Sequence, residues 1–316
     1  MSRAAALATL SFLAYWSTLQ VPVSSDATAH VYTAFSFVRE GDADLDEYAR
    51  ARPPFGARAF VAADGHVYSP YLSGLALIFA PIAALATVAG IDPASSVGAG
   101  VLAKLLASLL VSASVALVYV ALARELKAET AGYLTLAYAL ATPVFGVASQ
   151  TLTEHAASVF LIALAIVLVL ARDADADPRS IAGLPLGLAA IVRPTNALTL
   201  LAVVAFLGRR GPGPAMRALL WAAGPLSFQL LVNIVTFGSP LGPLRPLPLG
   251  SILEGMAGQL VSPSRGLLVY CPWLLAGLVG LAAAWLGTPD RLRWLLRSWS
   301  LAFLATLVVF GSYAEW

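Results

Sequence analysis

Nine apolar stretches divide this chain, near residues 4–21, 70–90, 97–123, 130–149, 154–171, 181–208, 215–236, 266–287 and 297–312. Most are close to the roughly 20 residues that a helix needs to cross hydrocarbon. No water is available there to satisfy open backbone, so the spanning structure must be a helix bundle or a closed barrel. A barrel strand alternates polar and apolar residues, and the run Phe160 to Leu170 does not alternate. The expected fold class is therefore all-α, a polytopic transmembrane helix bundle forming one domain over 1–316. Its 59% hydrophobic and 11% charged residues, with a mean hydropathy of +0.82, lie far from those of a soluble domain of this length. The lipid bilayer is the expected partner, and no nucleic acid is.

The single cysteine, Cys271, excludes an intramolecular disulfide and a cysteine-only metal cluster. It reads as a small apolar filler a few residues inside the outer end of its span. Arg3 precedes the first stretch, but no small-residue cleavage site comes before Tyr15-Trp16, so this stretch reads as an uncleaved span. Of the nineteen basic residues only Lys104 and Lys127 are lysine, and Ala, Gly and Pro abound, the compositional mark of a GC-rich prokaryotic genome. The expected location is a prokaryotic plasma membrane.

Charge placement orients the bundle, because loops rich in Lys and Arg stay cytoplasmic. The basic clusters are Arg124/Lys127, Arg172/Arg179, Arg209/Arg210/Arg217 and Arg291/Arg293/Arg297. All face the cytoplasm, with the N-terminus, if 70–90, broken by Pro81, returns to the outer face and 181–208 is two short helices meeting at Arg193-Pro194. If both segments crossed once, Arg124, Lys127, Arg172 and Arg179 would lie outside. The first arrangement is preferred. It gathers on the outer face a long first loop (22–69) carrying juxtamembrane helices, the Gln150–His155 corner, the Arg193-Pro194 tip, a second loop (238–265) and Tyr313-Ala314-Glu315-Trp316. Ionisable groups at membrane depth are costly and tend to be functional, so this clustering marks the outer face as the place for a site.

In the first loop Ser24, Ser25 or Asp26 can cap a helix whose apolar positions Ala27, Val31, Ala34, Phe35 and Val38 recur at helical spacing, with Gly41 as its stop. Asp26, His30, Thr33 and Phe37 fall on another face, which describes an interfacial helix turning a polar face to a cavity. An N-cap role explains Asp26 but not a histidine one turn later. The acids of Gly41-Asp42-Ala43-Asp44-Leu45-Asp46-Glu47 alternate like a calcium loop, but Glu47 and Pro53 stand where such a loop needs glycine and glutamate. A solvated acidic turn is the expectation, with Arg50, Arg52 and Arg58 as able to attract phosphate as to balance it. His30, His66 and His155 have no recognisable metal spacing, so no metal is assigned; a divalent ion is compatible but not indicated. No phosphate cradle of the Gly-x-x-x-x-Gly-Lys or Gly-x-Gly-x-x-Gly type is present, so a nucleotide sugar is not expected as direct donor.

Taken in order, Asp26 with its helix and acidic turn, Gly65-His66-Val67-Tyr68-Ser69-Pro70-Tyr71-Leu72-Ser73-Gly74, Arg193-Pro194-Thr195, Ser262-Pro263-Ser264-Arg265-Gly266-Leu267-Leu268-Val269-Tyr270 and Tyr313-Ala314-Glu315-Trp316 resemble the GT-C superfamily of integral-membrane glycosyltransferases. The likeness is to the branch of protein mannosyltransferases and lipid A aminoarabinose transferases. It implies a transferase that moves a hexosyl or pentosyl group from a polyprenyl-phosphate donor to a glycan, lipid or protein acceptor at the extracytoplasmic face. The resemblance gives Asp26 the part of general base, Glu154 that of a second acid and Arg193 that of the cation meeting the donor phosphate. His155 matches no residue of the pattern. Many relatives continue beyond the equivalent of Trp316 with further spans, so the chain reads as a fragment or a shortened member.

The chemistry also follows from the residues. Displacement at an anomeric carbon needs a base for the acceptor proton and cations for the leaving phosphate, which Asp26 and Arg193 or Arg265 can supply. Glu154 would orient hydroxyls, with His30, His66, Tyr68 and His155 as further substrate-binding candidates. Each has a structural alternative: helix capping for Glu154 and Arg193, interfacial anchoring for Arg265, His66 and Tyr68. Other classes also fit the pattern. A transporter or lipid flippase would use the broken helix at Arg193-Pro194, although no repeat relates 1–150 to the remainder. A noncatalytic cell-envelope assembly subunit would use none of these residues chemically.

Overall fold

The structure, a computed structural model, describes residues 2–18, 24–51, 61–63, 65–94, 96–171, 179–209, 211–243, 248–287 and 290–314. Arg52, Arg58, Arg172, Arg210, Glu315 and Trp316 lie outside the described residues. The chain is built almost wholly from helices. Among the described residues three helices, at Gly98–Ala123, Pro212–Phe237 and Leu292–Gly311, are long and apolar enough to cross a membrane alone.

Helix α1 (Arg3–Trp16) starts at Ser2, whose side chain accepts from the Ala5 amide. Helix α2 (Ser25–Arg39) is capped by Ser24, whose Oγ accepts from Ala27 N at 3.1 Å, so Asp26 sits inside the first turn and is not the cap. The helix stops where expected, with Glu40 as C-cap and Gly41 at φ +81°. Helix α2 is packed inside the protein. Every residue from Ala27 to Ser36 is buried, His30 and Thr33 included, because α2 is enclosed by apolar side chains of α3 (Gly74–Val88) and α4 (Ser96–Ala123).

Between α2 and α3 a turn of 3-10 helix (Asp46–Ala51) leads to an antiparallel hairpin of β1 (Val61–Ala63) and β2 (His66–Tyr68), in which Ala63 pairs with His66. It is the only sheet among the described residues. Helix α3 starts with Gly74 against the Ile191 carbonyl, where a Cβ would come within 2.5 Å of the oxygen. It finishes beside Arg39, whose guanidinium donates to Thr87 Oγ1 and to the Ile91 carbonyl.

The remaining helices are α5 (Ala128–Leu140), α6 (Glu154–Val169), α7 (Gly183–Val192), α8 (Ala197–Gly208), α9 (Pro212–Phe237), α10 (Ile252–Val261), α11 (Leu267–Tyr270), α12 (Trp273–Gly287) and α13 (Asp290–Gly311). A π-helical turn, Val144–Ala148, follows Pro143 after α5. The stretch 181–208 is two helices, as expected. Arg193, extended at φ −148° and ψ 118° ahead of Pro194, ends α7. The stretch 266–287 is also broken, at Cys271-Pro272, so the buried Cys271 stands between α11 and α12 and not within a continuous span. The segment 238–265 contains α10, and its residues 248–250 pair through backbone hydrogen bonds with 312–314.

Three apolar cores form among the described residues: one, around Tyr15, Val111 and Val144, joins α1, α4 and the π-helical turn, and the other two stack along the bundle. One joins Val31, Phe35, Phe79, Leu106, Leu152 and Val192. The other joins Ala121, Val169, Leu186, Phe206, Ala222 and Leu295. The second leads to the basic end, where Arg124 bonds the Val167 carbonyl, Arg179 the Ala171 carbonyl, and Arg209 covers the Trp294 ring. The first leads to the end that holds Asp26, Glu154 and Arg193.

Candidate functional site

Asp26 and Glu154 occupy the same local position on different helices, the first turn of α2 and the first residue of α6. Carboxylates in a first turn complement the partial positive charge of unpaired backbone N–H groups. Thr153, the residue before α6, makes no side-chain capping bond, so Glu154 is not competing with a built cap.

The side chains around them form one chain of contacts. Tyr71 donates its phenolic hydrogen to Asp26 Oδ1, a very short bond, and Ser25 Oγ donates to the same oxygen at 3.0 Å. Oδ2 accepts no hydrogen bond among the described residues. Burial, then the bond and charge of Asp26, push the Tyr71 hydroxyl well above its ordinary range, so it remains a donor. The Tyr71 ring lies 5.2 Å from the His30 ring at 45°. His30 Nε2 is buried and points at Glu154 Oε1 from 3.6 Å, longer than a hydrogen bond, with no hydrogen-bond partner among the described residues. Beside Glu154, His155 Nδ1 accepts from Arg193 Nη1 at 3.1 Å. The Arg193 guanidinium lies 4.8 Å from the Phe310 ring centroid, a cation–π contact made by α13. Five expected residues, Asp26, His30, Glu154, His155 and Arg193, are thus brought together from α2, α6 and the α7–α8 break.

The other three are not part of this chain of contacts. His66 Nδ1 bonds Asp46 Oδ2 at 2.7 Å and lies 3.7 Å from Asp44 Oδ2. Asp46 Oδ1 also accepts from Val67 N, and Asp44 Oδ1 from Asp46 N. The acidic turn is therefore tied to the hairpin by His66 and by backbone amides. Each of these three residues offers one ligand atom within 4.8 Å of the others, a spacing a cation could use. In this structure those atoms are engaged with one another. The Asp46 bond, its charge and the charge of Asp44 raise the His66 imidazole, while the Val67 amide and then His66 lower the Asp46 carboxyl. Tyr68 packs edge-on against Phe237 at 5.7 Å. Arg265 stands exposed in the turn between α10 and α11.

Residues that sequence reasoning gave no role complete the setting. Gln229 on α9 accepts from Ser73 N at 2.9 Å and donates to Asn233 Oδ1 at 2.8 Å, fixing the segment that carries Tyr71. A cavity of about 600 Å³ opens between α2, α3 and α9, lined by Leu77, Phe228, Leu231 and Val235 with Asp42 and Asp44 at one edge. It shares Ala43, Tyr68, Val232 and Thr236 with a small polar niche that includes Tyr71, Ser73 and Gln229. An apolar cleft thus runs up to the Tyr71–Asp26 pair. Lys104, 2% exposed, donates to Thr18 Oγ1 at 2.6 Å, and Thr18 donates to Gln150 Oε1 at 2.8 Å. A lone lysine in the apolar run 97–123 was a legible signal of such a contact.

Comparison with models of protein families, with curated proteins and with solved structures finds no match.

Proposed function

We propose that this chain is a membrane glycosyltransferase that moves a sugar from a polyprenyl-phosphate donor to a hydroxyl acceptor at the extracytoplasmic face. The observation that carries the reading is the contact chain Asp26, Tyr71, His30, Glu154, His155 and Arg193 at the end of the bundle away from the arginine clusters. It holds an acid with one oxygen open and a cation on the other side of a second acid.

In this reading the acceptor hydroxyl gives its proton to Asp26 Oδ2 as its oxygen bonds to the anomeric carbon. The bond from that carbon to the phosphate oxygen breaks with its electron pair leaving on phosphate, and the configuration inverts. Arg193 meets the charge that develops there, and His155 and Phe310 hold its guanidinium in place. Glu154, faced by His30, orients sugar or acceptor hydroxyls. Tyr71 and Ser25 fix the Asp26 carboxylate through Oδ1.

The test is sugar release from radiolabelled polyprenyl-phosphate donors in proteoliposomes, comparing wild type with Asp26→Asn at equal folded yield. Loss of a general base costs roughly 10²- to 10⁴-fold, so turnover should fall by that factor. Unchanged turnover in the variant removes Asp26 from the reaction. The broken helix α7–α8 favours a second reading, a transporter or lipid flippase lined by Arg193. Lipid-linked sugar moved across the vesicle but never released, with wild type and variant alike, would decide for it.

A further inference from the structure

At the basic end of the bundle a second set of residues forms a site that sugar transfer does not use. Arg209, at the end of α8, stacks on the Trp294 ring with its guanidinium carbon 3.8 Å from the centroid. Arg297 lies 5.2 Å from the centroids of both Trp285 and Trp294, and its Nη2 donates to the Trp285 carbonyl at 3.1 Å. Neither guanidinium is paired with a carboxylate among the described residues. Arg297 Nε and Trp299 Nε1 are both buried donors without an acceptor there. A buried donor left without an acceptor costs about 1–3 kcal/mol, so a built site of this kind calls for an anion or an oxygen-rich group.

Next to these donors an apolar cleft of about 390 Å³ opens between α12 and α13. Trp299 itself lines it, with Leu278, Leu281, Leu296 and Phe303, and Gly277 and Gly280 form its floor. A Cβ at either glycine would meet no atom within 4 Å. The antiparallel helices run the cleft from Ala284, beside the arginines, to Leu274. Those ten steps span about 15 Å at the rise of an α-helix. One leaflet of the hydrocarbon core has the same depth, half of about 30 Å. Helix α12 buries none of its residues, so this face is turned to the surroundings.

We propose that this is a binding site for an anionic phospholipid, its phosphodiester held by Arg209 and Arg297 and one acyl chain lying in the α12–α13 cleft that Trp299 lines. Two cations on one tryptophan ring, an unused guanidinium donor and a leaflet-deep apolar slot match one amphiphile with a negative head. A zwitterionic lipid fits the slot and wastes the charge, and a free phosphate fits the charge and wastes the slot. Tryptophan rings flanking the arginines suit the headgroup level, where their polar edges face the ester region.

The test uses the full chain, delipidated in mild detergent and incubated with dioleoylphosphatidylglycerol, dioleoylphosphatidylcholine or glycerol phosphate. Bound molecules per chain are read by native mass spectrometry. Phosphatidylglycerol should be retained, phosphatidylcholine far less and glycerol phosphate not at all. Each arginine near a lipid surface is worth roughly fivefold in affinity, so Arg297→Gln should lose about fivefold and the double variant with Arg209→Gln about 25-fold. Gly277→Leu with Gly280→Leu adds bulk to the slot lining at two positions where a Cβ meets no atom within 4 Å. It should abolish phosphatidylglycerol retention with an unchanged melting temperature, and it decides the matter if the arginine variants fail to fold. Equal retention of both lipids, or retention unchanged in the slot-filled variant, overturns the proposal. So does a dimer of the chain that forms without lipid and is lost on filling the slot, which would make the cleft a helix–helix interface.

Discussion

His66 and Asp46 show how single residues hold the first loop, and their pairing has a pH window. The His66 imidazole is raised above its ordinary 6.5, so the stability it adds is complete below that value and is lost as pH rises through the raised one. The Asp46 carboxyl is lowered below its ordinary 3.8, so its share is complete above that value and is lost as pH falls through the lowered one. The hairpin should therefore be best docked between about pH 4 and 6.5. Hydrogen exchange at Val67 N, bonded to Asp46, should speed up relative to its intrinsic rate above that window. His66→Gln should abolish the change. A second outcome at this scale concerns Tyr71. Hydrogen bonds to a charged group are worth about 1.5–3 kcal/mol, so Tyr71→Phe should lower kcat/KM for sugar transfer by roughly 10- to 100-fold. Its melting temperature should change little, and an unchanged kcat/KM would show that the phenol does not tune the base. Asp26 was legible because a polar residue after a span, followed one turn later by a histidine, needs more than a cap to explain it. Tyr71 was not, because an aromatic in a loop carries no sign of its partner 45 positions earlier. His155 gained its partner only when the α7–α8 break brought Arg193 beside α6.

At the scale of elements, local signals governed where helices start, stop and break. Ser24 and Gly41 bracket α2, and Pro194 restricts Arg193 to extended backbone and divides α7 from α8. What α2 buries was not legible. Its polar residues sit at helical spacing as on an amphipathic helix, but α3 covers the apolar side while Tyr71 and Glu154 close over His30 and the niche with Ser73 and Gln229 encloses Thr33. The break at Pro272 was signalled by the proline yet hidden in an apolar run. Helices α7 and α9 approach closely at Gly187, where a Cβ would come within 2.8 Å of Ala222 Cα. Gly187→Val should force the pair apart and cost about 1–3 kcal/mol, read as a lowered melting temperature in detergent. Gly280→Leu, at a position where a Cβ meets no atom within 4 Å, serves as the control. Gln229 joins α9 to the start of α3, so Gln229→Leu should lower kcat for sugar transfer more than it raises KM, through the displaced Tyr71. Gln229→Glu, which keeps the acceptor for Ser73 N, should restore part of it.

At the scale of the molecule, charge divides the ends of the bundle. Arg124, Arg179, Arg209 and Arg297 gather at one, and Asp26, Glu154 and Arg193 at the other. If the arginine end faces the cytoplasm, a cysteine at Thr195 should be labelled by an impermeant maleimide from outside intact cells, and one at the exposed Ala128 should not. Labelling at Ala128 from outside would reverse the orientation. Helix α13 spans this division. Arg297 near its start lies against Trp285, and Phe310 near its end lies under Arg193. Thirteen residues of stiff helix separate the two, about 20 Å. The helix therefore acts as a lever. A tilt of about 5° pivoting at Arg297 would carry Phe310 by about 1.7 Å, enough to take the Arg193 guanidinium from 4.8 Å to beyond the roughly 6 Å reach of a cation–π contact. The position of one cation at the outer end is thereby set by how α13 is seated at the inner one.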